Sequence, residues 1–164
     1  MSRLPKILKN FNVYAAGNSY LGVAEEVTPP NVAIKTSEMR LAGMAGAIEV
    51  DQGVEKLENT IKFKGVEQDI TRLLGTTDTI VTKGAVQNKD GATEAVIITS
   101  RGLFKSNEGD TYKVGEDGAT SIKQNCEYYK YEQNGETIVE IDMINGVRII
   151  DGIDQLEEIT KAIL

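Results

Sequence analysis

The chain has 164 residues, with 18 Lys and Arg against 25 Asp and Glu for a formal net charge of −7, a single cysteine, and neither histidine nor tryptophan. One cysteine excludes an internal disulfide framework, and the lack of histidine excludes Ser-His and Cys-His dyads and imidazole metal sites. The length suits one domain able to bury a core unaided, and the acidity argues against tight binding to nucleic acid.

No membrane span is expected, because the longest apolar run, Leu41 to Ile48, has eight residues where a span needs about 20. The basic start (Arg3, Lys6, Lys9) precedes no apolar region or cleavage site, so the protein is expected to be made in a cytoplasm. In chain order, Phe11–Ala15 and Ser19–Thr28 flank the turn pair Gly17-Asn18 and predict a first hairpin. Pro29-Pro30 interrupts strand pairing, since neither proline can donate to a ladder. Residues 31–41 read as extended, and Gly43 through Gly53 as a glycine-rich loop. From Lys56 to Lys64 polar and apolar residues alternate, broken only at Asn59, which predicts a half-buried strand.

Val66, Ile70, Leu73 and Leu74 share one helical face, with Gly75 as the stop. Asp78–Asn88 and Thr93–Lys105 are strand-like around Lys89-Asp90-Gly91, and the polar stretch Asn107–Ser121 reads as a long loop. Ser121–Gln133 and Glu136–Met143 bracket Asn134-Gly135, a strong two-residue hairpin signal. Val147–Ile150 is a short strand, and a closing helix over 153–163 is expected, capped by Asp154 and Glu157 with Ile153, Leu156, Ile159 and Ile163 along one side. The pattern is that of one α+β or mainly β domain spanning 1–164.

Signals for chemistry are weak. Gly43-Met44-Ala45-Gly46 lacks the Gly-Lys-Ser/Thr of a phosphate loop. Glu108, Asp110, Glu116 and Asp117 do not match the spacing of a calcium loop, and acidic loops are generally just hydrated. Glu140 and Asp142 share a strand face that acid–base catalysis could use, but a wet sheet face accounts for them. Cys126 reads as a small core residue, and Tyr128, Tyr129 and Tyr131 as strand formers rather than a base-stacking platform. No enzyme, cofactor or metal site is expected. The acidity is uneven: residues 1–82 hold nine basic and ten acidic side chains, residues 83–164 nine and fifteen. That surface is either simply solvating or one whose sign is used, to meet a basic partner or repel a polyanion.

Three blocks carry a specific likeness. They are Gly17-Asn18-Ser19-Tyr20-Leu21-Gly22 running on to Pro29-Pro30; Lys35 to Gly46 with Val50-Asp51-Gln52-Gly53; and Val139 to Leu156, centred on Asp142-Met143-Ile144-Asn145-Gly146-Val147-Arg148-Ile149-Ile150-Asp151-Gly152. In order and spacing these resemble the major tail tube proteins of contractile-tailed bacteriophages and the tubes of related R-type pyocins. The resemblance implies a non-enzymatic subunit of two packed antiparallel β-sheets (sandwich or barrel) with a flanking short helix and a C-terminal helix.

Six such subunits would join into a ring, and rings would stack into the inner tube of a virion tail, assembled in the bacterial host cytoplasm and passing DNA into the host cell. A DNA-free pyocin-like or other contractile injection particle is the alternative. Implied partners are further copies of the chain, the tail sheath protein, baseplate and tail terminator proteins, and the tape measure protein and DNA transiently in the lumen; no membrane binding is implied. The segment 39–53 would be the inter-ring loop, with Met39, Arg40, Gly43, Met44, Gly46, Asp51 and Gly53 as contact residues. Arg3, Lys6 and Lys9 of the amino-terminal arm (residues 1–10), with Asp154, Glu157 and Glu158, would meet the ring neighbour or the sheath. Six copies at −7 each give a ring of −42, so acids could both repel DNA in the channel and hold the sheath by readily broken pairs. Readings from other classes are a small β-barrel hydrolase using carboxylates and a monomeric ligand-binding β domain.

Overall fold

A computed structural model describes residues 4–164, so Arg3 lies outside the described residues. The elements run β1 (Ile7–Ala15), β2 (Asn18–Ser19), β3 (Ala24–Thr28), β4 (Ile34–Met39), β5 (Ile48–Val54), β6 (Leu57–Lys64), α1 (Gln68–Thr71), β7 (Thr77–Gln87), β8 (Thr93–Gly109), β9 (Ala119–Gln133), β10 (Glu136–Asp142), β11 (Val147–Ile150), β12 (Ile153–Asp154) and α2 (Glu157–Ile163). The fold is mainly β, with two antiparallel sheets and two helices, as the sequence implies. The larger sheet has ten strands in the order β12-β11-β10-β9-β8-β7-β1-β2, with β6 also on β9 and β3 on β6. The smaller sheet is the hairpin β4–β5.

The branch in the large sheet lies on β9. Residues 119–126 pair with β6, whereas residues 128–133 pair with β10. Between them the register against β8 shifts, Arg101 facing Tyr128 but Gly102 facing Cys126. The bulged residue Glu127 offers its carbonyl to Met143 N–H at 2.9 Å. A bulge bends a strand, and here it turns one sheet into two limbs that face each other. Val13, Ala15 and Ile80 of one limb meet Ile61, Phe63, Phe104 and Ile122 of the other, with Tyr20 and Ile70 closing the cluster.

Between the limbs runs a buried polar chain. Asn59 donates to Ser100 Oγ (3.1 Å), Ser100 donates to Gln124 Oε1 (2.8 Å), and Gln124 Nε2 donates to the Asp78 carbonyl (2.8 Å). Asn59 thus breaks the alternation of its strand because it points inward to this chain. Gln124→Leu is expected to lower stability by about 1–3 kcal/mol, since it strands buried donors and acceptors; urea denaturation of the unassembled protein reads this directly. Cys126 beside the network is buried as expected, and burial pushes its thiol up to about 11.

Four expectations need correction. The first hairpin turns at Ala16-Gly17 and returns for only two residues. Tyr20 is then buried against Phe63, ring centroids 5.1 Å apart, and carries the chain to the other limb, where β3 pairs with β6. The expected apolar helix is a single turn: Ile70 is buried, but Val66 and Leu74 are exposed. Gly75 N–H and Phe104 N–H bond Phe104 and Thr76 carbonyls, so strand pairing captures the chain before a second turn can form. The loop expected over 107–121 shrinks to 110–118, because Asn107, Glu108 and Gly109 continue the ladder with β9. The closing helix begins at Glu157 without a side-chain cap. Ile153 and Asp154 form β12 instead, and the Asp154 carboxylate accepts from the Arg148 and Leu156 N–H groups at 3.2 and 3.0 Å.

Candidate functional site

Three surfaces stand out among the described residues. The first is the β4–β5 hairpin, in which residues 31–41 are extended as expected but β5 takes up much of the glycine-rich loop expected from Gly43 to Gly53. Every residue of β4 is exposed, and β5 is half-buried only at Val50, Gly53 and Val54, so most of the hairpin is solvated, and two strands alone are marginal in water. Met39 stands opposite Ile48, and Leu41 beyond them is 65% exposed. Glu38 stands opposite Glu49, with no cation paired to either among the described residues; like charges directly opposed weaken a ladder. In the connecting turn Arg40, Gly43 and Gly46 are exposed, while Met44 folds back so that its sulfur accepts the Leu41 N–H at 3.2 Å.

The hairpin is clamped at its base. Gln52 and Gly53 bulge where Lys35 alone stands on the opposite strand, and Gly53 takes φ +106°, a conformation that favours glycine. The Asp51 carboxylate accepts the Gly53 N–H at 2.8 Å. It also receives both terminal nitrogens of Arg148 on β11, at 2.5 and 3.4 Å. Arg148 is 4% exposed and its Nε is buried without a partner. The Arg148 guanidinium, and then the Gly53 N–H, hold the Asp51 carboxyl below its ordinary value. Arg148 is the half of this clamp that the sequence-assigned contact set lacks. Its one available signal was a lone charge within the apolar run Val147-Arg148-Ile149-Ile150.

The second surface lies at the start of β1. A recess of about 460 Å³ there is lined by Pro5, Ile7, Lys9, Gln87 and Lys89 among others. Lys6 is tied to Glu94 at 2.6 Å, whereas Lys9 occupies the bulge between Leu8 and Asn10 and makes no ion pair among the described residues. The third surface is β12 with α2. Asp154 is engaged by backbone as described, Glu157 pairs with Lys161 at 2.8 Å, and Glu158 is exposed. The two ends of the sequence-assigned contact set therefore sit on separate surfaces. The tyrosines are committed internally: Tyr128 donates to Glu140 and Tyr131 to Gln133, both at 2.9 Å. Among the described residues no three His, Cys, Asp or Glu side chains converge as metal ligands, and no helix is long and apolar enough to cross a membrane.

Comparison with known proteins accords with an assembly role. Residues 5–163 match the family model described as phage tail tube protein FII. The tail tube protein of Escherichia phage P2 is 35% identical over 163 residues, covering 94% of this chain and 95% of that protein. The major tail tube protein of Serratia phage KSP20 is 28% identical over 153 residues, covering 91% and 90%. Among solved structures, the Dit protein of phage SPP1, a hub adsorption apparatus component, has 15% identity and a TM-score of 0.43. That likeness covers 76% of this chain and about half, 53%, of the other.

Proposed function

This chain belongs to the phage tail tube protein FII family, and from that membership we propose that it stacks as hexameric rings into the inner tube of a contractile tail. It is then a structural, non-enzymatic subunit of the virion, one tail tube domain whose polymer forms the channel for DNA. The observation that carries the reading is the β4–β5 hairpin. Its β4 strand is exposed throughout, its tip is apolar, and Asp51 and Arg148 clamp it to the body. A segment so held and so bare suits contact with a copy in the next ring, through Met39, Arg40, Leu41, Gly43, Met44 and Gly46.

A second copy that covers Leu41 and Ile48 and brings a cation to Glu38 and Glu49 removes both liabilities at once. Asp51 and Gly53 serve that contact from within, by aiming the hairpin. The edges β3 and β12, unpaired on their outer sides among the described residues, suit closure of the ring, since edges must be paired or protected. Sheath, baseplate, terminator and tape measure proteins are the further partners of such a tube. Electron microscopy of concentrated purified protein is expected to show annuli or hollow rods. Deleting residues 43–47 is expected to abolish rods while the fold persists by circular dichroism. Compact single particles from the wild type, even with its tail partners, overturn the proposal; rods of normal length from the deletion overturn the hairpin's part in it.

A further inference from the structure

We propose that α2 of one copy seats in the recess beside β1 of a neighbouring copy, so that each carboxy-terminal helix is held by another subunit. This rests on the tube reading above and names one of its contacts. α2 has seven residues and none is buried; so short a helix is not stable in water without packing. Its own chain ties it down where Thr160 Oγ1 donates to the Gly146 carbonyl at 2.8 Å. Ile159 and Ile163, one turn apart on a common face, are 63% and 78% exposed. Ile153, in the strand just before, is 68% exposed.

The recess is the complement of that face. Pro5 and Ile7 give it apolar walls, and Lys9 and Lys89 stand among its lining residues with no ion pair among the described residues. Glu158 of α2 likewise has no ion-pair partner among the described residues. Apolar surface meets apolar surface, and the two lysines stand ready for the Glu158 carboxylate. One copy cannot join its own two surfaces. β12 ends the sheet on one side, whereas β1 lies next to the other end. Turn 88–92 shares a strand end with the Asn134-Gly135 turn, because Val96 faces Gln133. Gly146, on which Thr160 rests, belongs to the turn at the opposite strand end, after Asp142. A contact between such opposed patches is head-to-tail and propagates through identical copies.

The test uses assembled tubes of an Ile7→Cys, Ile163→Cys variant; native Cys126 is buried and does not compete. Mild oxidation is expected to convert the monomer band on a non-reducing gel into a ladder of linked copies, with each single variant staying monomeric. A second measurement needs no substitution. Carbodiimide coupling of wild-type tubes built from mixed isotope-labelled and unlabelled protein should join Glu158 of one copy to Lys9 or Lys89 of another, read by mass spectrometry. Tubes that form normally but yield neither the ladder nor the mixed-label peptide overturn the inference, and place α2 on another partner such as the sheath. Failure of the wild type to form any tube is a different result and strikes the tube reading itself.

Discussion

Gly102→Ala is expected to cost the protein most of its stability. Gly102 sits at the register shift where β9 passes from one limb to the other, facing Cys126. A β-carbon built there overlaps the Asn125 carbonyl oxygen and lies 2.8 Å from its carbon and 3.0 Å from Cys126 Cα. All three are backbone atoms of a strand held by ladders on both sides, so no side chain can swing away to make room. Overpacking costs about 1–3 kcal/mol where neighbours can yield and more where they cannot. A loss of about 3 kcal/mol or more is a large share of the 5–15 kcal/mol typical of a domain. The midpoint of urea unfolding should fall accordingly, or the variant should be insoluble. Gly46→Ala is the control, because its β-carbon meets nothing within 4 Å and its backbone is not left-handed; its unfolding midpoint should be unchanged. Near-wild-type stability of Gly102→Ala would show that the branch does not depend on this close approach.

Asp51→Ala should abolish tube assembly while leaving a folded monomer, and should do more harm than the double change Asp51→Ala, Arg148→Leu. The single change leaves the guanidinium of a 4% exposed arginine facing no carboxylate; removing both partners relieves that, because an unpaired buried charge costs more than an absent pair. Neither variant anchors the hairpin, so both should assemble poorly, and only the monomer's melting separates them. The pair also sets a pH dependence. Asp51 is held below its ordinary value, so the clamp is fully present above the unfolded carboxylate range near pH 4 and is lost as pH falls through the lowered value. Glu58 behaves in the same direction: Lys105 and Lys56 bring its carboxyl down to about 2. Tubes should therefore persist through pH 5 and dissociate only at lower pH. Sedimentation against pH measures this.

Local chemistry made much of this fold legible. Asn134-Gly135 turns β9 into β10 with φ +52° and +78°, as an Asn-Gly pair between apolar runs should. The alternation of Leu57, Ile61 and Phe63 buries all three. The three blocks with tail-tube likeness pointed to the family that the match over 5–163 then supported. Less visible were features set by competition between near and distant partners. Asp154 and Glu157 have capping-box spacing, yet Asp154 is taken by β11 and cannot cap. Residues 107–109 look like loop because they alternate poorly, yet main-chain pairing with β9 extends the strand through them. The sequence placed Asp51 in a contact set but gave no sign of its partner within the chain, since Arg148 is 97 residues away.

By itself the sequence determined the strand-rich composition, the turns, the acidic charge, and the family to which the chain belongs, because periodicity, glycine chemistry and motif spacing act over a few residues. Only the tertiary structure decided where the sheet branches, why Gly102 tolerates no side chain, what Arg148 holds, and which apolar faces remain bare. Those outcomes depend on pairing between strands far apart in the chain, and a β-ladder's register leaves no local mark of its partner.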